Sequence, residues 1–154
     1  MSGLENQGGF LMNKKNSKKA TIIVHSGDFD KVMSAYIIGN GYLSMGHEVT
    51  LFFTFWGLNA LKKNGFRKLP LSKYNFFGLG RLFMNLIMKS KNVANLEYLA
   101  QSFKELGGKI VACDMTMDIM GIKKSDLREE FIDIFGTVGR YCHLGSQADI
   151  NLFI

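Results

Sequence analysis

Residues 19–55, KATIIVHSGDFDKVMSAYIIGNGYLSMGHEVTLFFTF, decide the fold. They open on a short, continuous β-branched run, KATIIVHS (19–26), which ends in polar residues and Gly27. A strand that is apolar on both sides is one buried on both faces of a sheet. The period then changes. In DFDKVMSAYIIGNGYLSMG (28–46), Val32, Ala35, Tyr36, Gly39, Tyr42 and Leu43 recur at helical spacing, and Gly46 closes the segment. HEVTLFFTF (47–55) returns to a continuous apolar run. Strand, helix and strand in this order are the unit of a parallel sheet with helices on its faces.

The same alternation continues downstream. WGLNALKKNG (56–65) reads as a short helix closed by Gly65. Segment 66–92 is ambiguous: it holds the only proline, Pro70, and an apolar run, 76–88, compatible with a helix from about Gly80. In NVANLEYLAQSFKELGGK (92–109), Val93, Leu96, Leu99, Ala100, Phe103 and Leu106 form an apolar helical stripe that Gly107 and Gly108 stop. KIVACD (109–114) is a third strand, followed by a short helix over 115–120 and helix-start chemistry at Ser125. FIDIF (131–135) and DINLFI (149–154) read as strands, with TVGRYCHLGSQA (137–148) a helix between them. The expected architecture is a three-layer α/β/α domain over 19–154 with a mostly parallel five-stranded sheet, preceded by a disordered basic tail, 1–18.

Apolar residues make up 47% of the chain and charged ones 21%, as in a folded soluble domain. The net charge is +6, and basic residues cluster at Lys14 to Lys19 and Lys62 to Lys73 with no interleaved aromatic platform, so nucleic acid is not the expected partner. Two cysteines with no pairing pattern argue against a secreted disulfide scaffold, and their separation matches no zinc motif. The N-terminus lacks the apolar core of a signal peptide, which makes the cytoplasm the expected location. NFFGLGRLFMNLIM (75–88) is shorter than the ~20 residues of a spanning helix. It is read as core or oligomer interface, and membrane association is not expected.

In open α/β sheets ligands bind beyond the carboxyl ends of the strands. That rule selects HSGDFD (25–30), TFWG (54–57) and CDMTMD (113–118), and places His25, Ser26, Asp28, Trp56, Cys113, Asp114 and Met115 on one rim if the three strands are neighbours. Cys113 stands between a strand end and a helix start. Amides and dipole there favour a thiolate, while the carboxylate of Asp114 opposes it or caps the helix. The residues alone leave open whether Cys113 is a reactive thiol or an inert buried one. Cys142, beside His143 in a helix, is read as a packing residue, since neighbours at i and i+1 do not face each other. His25 is a possible acid, base or thiolate-stabilising cation, against the plainer reading of a satisfied loop histidine. Met115, Met117 and Met120 are read as gap-filling core in preference to a copper site, so neither metal nor cofactor is expected.

Four stretches resemble the DsrE/DsrF-like family of small sulfur-handling proteins, in the branch often labelled "peroxiredoxin family protein". They are ATIIVHSGDFDKVMSAYIIGNGYLSMGHEVTLFFTFWGL, FKELGGKIVACDMTMDIMGI, KKSDL and ADINLFI, which span most of 20–154. The resemblance implies a compact α/β/α domain that forms homo-oligomers. It also implies a sulfane-sulfur carrier or sulfurtransferase-like role, with Cys113 at the position of the family's sulfur-carrying cysteine. Sulfur from a persulfide or thiosulfate would pass through Cys113 to a TusA-like carrier or another sulfur-relay protein. The thioredoxin-like pattern a true peroxidase needs is absent. In that reading Trp56 and a methionine-rich wall shield the sulfur. Two rivals remain: a non-catalytic oligomeric interaction module of a sulfur-metabolism complex, and a small-ligand or nucleotide-binding protein using HSGD.

Overall fold

A computed structural model describes residues 17–154. Residues 1–16, and with them nearly all of the expected basic tail, lie outside the described residues. Five strands form one sheet in which every pair is parallel: β1 (Lys19–Val24), β2 (Glu48–Phe53), β3 (Lys109–Cys113), β4 (Ile134–Gly136) and β5 (Ile150–Phe153), in the order β4-β3-β2-β1-β5. The helices are α1 (Phe29–Ser44), α2 (Gly65–Lys68), α3 (Leu79–Ser90), α4 (Leu96–Glu105), α5 (Asp114–Met120) and α6 (Val138–Ser146). The three-layer α/β/α expectation holds.

Side chains alternate across a strand, so the two faces of the sheet are separate environments. Ile22, Val24, Leu51, Phe53, Ile110 and Ala112 belong to the main core. There they meet the buried faces of α1, with Val32, Ala35 and Tyr36, and of α4, with Ala100 and Phe103. The intervening residues Phe52 and Val111, aligned in register, face the other way with Cys113 and form a small second cluster under Ile134 and Tyr141. Order and connection explain this. The chain steps outward from β1 to β4 and then jumps back to β5 on the far side of β1, and α6, in that jump, covers the opposite face.

Four local readings change. The segment 56–65 is a 3₁₀ turn, Phe55–Leu61, and Gly65 begins α2 instead of closing a helix. A Cβ on Gly65 would lie 2.3 Å from Asn59 O, so the glycine serves close approach of two backbones. Helix α4 starts after Asn95, whose side chain accepts a hydrogen bond from Tyr98 N, and leaves Val93 exposed outside it. Ser125 sits in a single 3₁₀ turn, Lys124–Asp126, and β4 is displaced to Ile134–Gly136 by another 3₁₀ turn, Glu129–Phe131.

Candidate functional site

Strands β1, β2 and β3 are adjacent, so the loops that follow them share the carboxyl edge of the sheet. The loops after β1 and β2 are locked backbone to backbone. Gly57 N donates to His25 O at 2.8 Å, and a Cβ on Gly57 would lie 2.0 Å from Val24 O. The third loop is tied in by two buried threonines: the hydroxyls of Thr54 and Thr116 are 2.9 Å apart, and Phe55 N donates to Thr116 Oγ1 at 3.2 Å. Thr116, completely buried in α5, thus fixes the helix that Cys113 begins.

Cys113 is the last residue of β3 and the N-cap of α5, with φ −74° and ψ 111°. Its sulfur accepts no capping hydrogen bond from the helix amides, and Asp114 occupies the first helical position instead of the cap. The sulfur-carrier reading calls for this side chain to be open at the rim. It is 0% exposed, enclosed by Phe52, Val111, Ile134 and Tyr141. The rings of Phe52 and Tyr141 stand 5.3 Å apart at 45°. Tyr141 belongs to α6, which carries no buried residue of its own. At its C-terminal end α6 is fastened by one polar contact, Asn151 Nδ2 donating to Gly145 O at 3.0 Å, and Asn151 Oδ1 in turn accepts from the Thr21 hydroxyl.

The other expected site residues lie along the rim but not around the sulfur. The His25 ring sits 5.0 Å from that of Phe55 and 5.5 Å from that of Phe153, and His25 N donates to Ile154 O. Between its strand and that of Cys113 stands β2, a separation of two strand spacings, about 10 Å. Ser26 and Asp28 satisfy each other: Ser26 Oγ donates to Asp28 Oδ2 at 2.8 Å, and Lys31 Nζ lies 3.1 Å from the same oxygen. The HSGD loop is therefore closed on itself. Trp56 is 61% exposed and Met115 is exposed, while Met117 packs into the main core, so the shell around Cys113 is aromatic and β-branched and not a methionine wall.

Two features were not found from sequence. Gly136 pairs with Cys113, and a Cβ there would lie 2.9 Å from Arg140 Cδ. The Arg140 side chain therefore lies across the strand position beside the cysteine. The signal available was a glycine followed four residues later by arginine, which only the turn from β4 into α6 makes meaningful. Cys142, read as a packing residue, is exposed, and both cysteines are free thiols. Among the described residues no group of three or more His, Cys, Asp or Glu side chains gathers to hold a metal ion. A cleft of about 1210 Å³ is lined by Arg81, Asn85 and Met88 of α3, with Lys63, Glu97 and Arg128 opposite.

Comparison with known proteins agrees with this fold. The family model described as "DsrE/DsrF/DrsH-like family" matches residues 16–68 and 63–153. Protein YrkE of Bacillus subtilis (strain 168) is 40% identical over 160 residues, covering 91% of this chain and 99% of the relative. A protein of Allochromatium vinosum named "Sulfur carrier protein DsrE2" is 30% identical over 160 residues, covering 89% of this chain and 98% of the relative. Two solved structures share the fold: YchN from E. coli, with TM-score 0.55 and 16% identity over 89% of this chain and 99% of that one, and MTH1491 from Methanobacterium thermoautotrophicum, with TM-score 0.51 and 13% identity over 90% and 100%.

Proposed function

The chain belongs to the DsrE/DsrF/DrsH-like family, and from that premise we propose that it acts in sulfur metabolism as a carrier that accepts sulfane sulfur on Cys113 and hands it to a partner thiol. The observation that carries the reading is the place of Cys113. It ends an interior parallel strand at the carboxyl edge of the sheet, in a chain similar along most of its length to a protein named a sulfur carrier.

The chemistry is thiol exchange. The Cys113 thiolate attacks the outer sulfur of a donor persulfide R–S–SH; the new S–S bond forms as the donor's breaks, and the donor leaves as R–S⁻. With thiosulfate as donor, the leaving group is sulfite. An acceptor thiolate, on a small carrier protein of TusA type, then attacks the outer sulfur, and Cys113 returns to its thiolate. Each step exchanges one bond to sulfur for another, so electrons balance without an outside oxidant. Because Cys113 is enclosed, both steps require Tyr141 and its helix to move aside. Arg140 rides on the same helix, where its guanidinium supplies positive charge for a thiolate or persulfide anion.

Intact-mass spectrometry after mixing with a persulfide donor tests this. A gain of about 32 Da, one sulfur on a cysteine nucleophile, is expected on wild type and on Cys142→Ser, and is lost in Cys113→Ser. A gain that survives Cys113→Ser and disappears in Cys142→Ser would overturn the assignment.

A further inference from the structure

Helix α3 turns its apolar side away from the protein. Leu79, Leu82, Phe83, Leu86 and Ile87 recur at i, i+3, i+4, i+7 and i+8, the spacing of one helical face, and every one of them is exposed. The inner side is held by Met88, the helix's one buried residue, and by Arg81. The Arg81 guanidinium lies 3.2 Å from the Phe29 ring centroid and donates to Leu69 O at 3.2 Å and Phe66 O at 3.1 Å. The segment leading into α3 extends the face. Tyr74, Phe76 and Phe77 have φ of 56°, 37° and 57°, a backbone region bulky residues seldom adopt, and all three rings stand in solvent. Apolar surface this continuous needs a cover.

Charge indicates which cover. From residue 49 to 96 the chain has no aspartate or glutamate and eight lysines and arginines. Outside this third of the sequence, acidic side chains outnumber basic ones, so the net charge of +6 comes entirely from it. Lys73 precedes the aromatic segment, and Lys89 and Lys91 close the helix, all exposed beside the apolar face. Two copies meeting through this face would set lysines against lysines with no acid between them. An anionic lipid surface complements both properties, apolar residues entering the acyl boundary and lysines meeting headgroups.

We propose that α3 and residues 74–78 form an interfacial docking face for an anionic membrane. The helix lies in the plane of the headgroups, and no helix among the described residues is long and apolar enough to cross a bilayer. Co-sedimentation of the full chain tests this with phosphatidylcholine vesicles, with and without about a quarter phosphatidylglycerol. Binding to the anionic vesicles is expected to be at least about tenfold tighter and to fall at about 0.5 M salt. It is expected to be lost in Phe83→Glu/Leu86→Glu, which replaces two solvent-facing side chains and leaves the circular dichroism unchanged. Absence of binding to the anionic vesicles would overturn the proposal, as would binding that the double variant retains. So would a wild-type oligomer that ignores vesicles and that the double variant dissociates, which would make a second copy the cover.

Discussion

The two faces of the sheet are closed in different ways. On one, α1 and α4 lay buried apolar stripes over β1, β2 and β3, and Phe103 of α4 is seated between two glycines. A Cβ on Gly39 would come within 2.9 Å of its ring, and one on Gly108 within 2.4 Å. On the other, a single nine-residue helix with no buried residue rests one tyrosine on Phe52 and the thiol of Cys113. The first face supplies stability, which scales with apolar area removed from water. The second has little to hold it shut, and local opening is easiest where buried contacts are few. The fold thus places its candidate nucleophile on the rigid sheet, under the layer that moves most easily.

The largest effect is expected on the first face. Phe103→Ala removes a completely buried ring from a fitted seat and should cost about 3–5 kcal/mol, read as a fall in the urea midpoint at unchanged slope. A cost near that of a surface substitution would show that α4 does not seal this face and would erase the contrast between the two.

Tyr141→Ala probes the second face. The variant loses a tilted aromatic pair worth about 0.5–1.5 kcal/mol beyond area. Most of that loss favours the open form, so labelling of Cys113 by a thiol reagent, measured in a Cys142→Ser background, should quicken about two- to tenfold. Global stability should fall far less than in Phe103→Ala. Unchanged labelling would mean that α6 is not what encloses the sulfur.

How much of this asymmetry could be read beforehand follows from the range of each signal. β1, α1 and β2 were legible because their periods are local and long. The apolar run 75–88 reads as core or oligomer interface, because a stripe facing solvent and one facing the core look alike in sequence; the structure turns Leu79, Leu82, Phe83, Leu86 and Ile87 outward, which removes the core half of that reading. Gly65 misled because glycine suits both a helix end and a close backbone approach, and its approach to the Asn59 carbonyl depends on a chain path that the local pattern does not specify. Cys113 was placed at the right edge, since strand ends and helix starts are local features. Its enclosure was not legible, because Tyr141, Ile134 and Phe52 come from three separate elements that only the strand order brings together.

The smallest effect belongs to a polar clamp on the better-sealed side. Asp30, in the first turn of α1, accepts hydrogen bonds from Ser72 N at 2.9 Å and Ser72 Oγ at 2.7 Å, tying the loop after α2 to the helix. Partial burial by itself would raise the Asp30 carboxyl; hydrogen bonds from the Ser72 hydroxyl and amide, helped by the Asp30 amide and by Lys31, together outweigh it and leave the carboxyl below its usual 3.8. A carboxyl with a lower value folded than unfolded adds stability above the unfolded value and loses it as pH falls through the folded one. Ser72→Ala should therefore cost about a few tenths of a kcal/mol at pH 7, solvent screening allowed for. The gap between wild type and variant should close as pH drops below the usual aspartate range, in urea midpoints compared across that span. A gap that widened on acidification would mean the clamp acts through the protonated carboxyl, and the start of α1 would then be held by something other than the charge of Asp30.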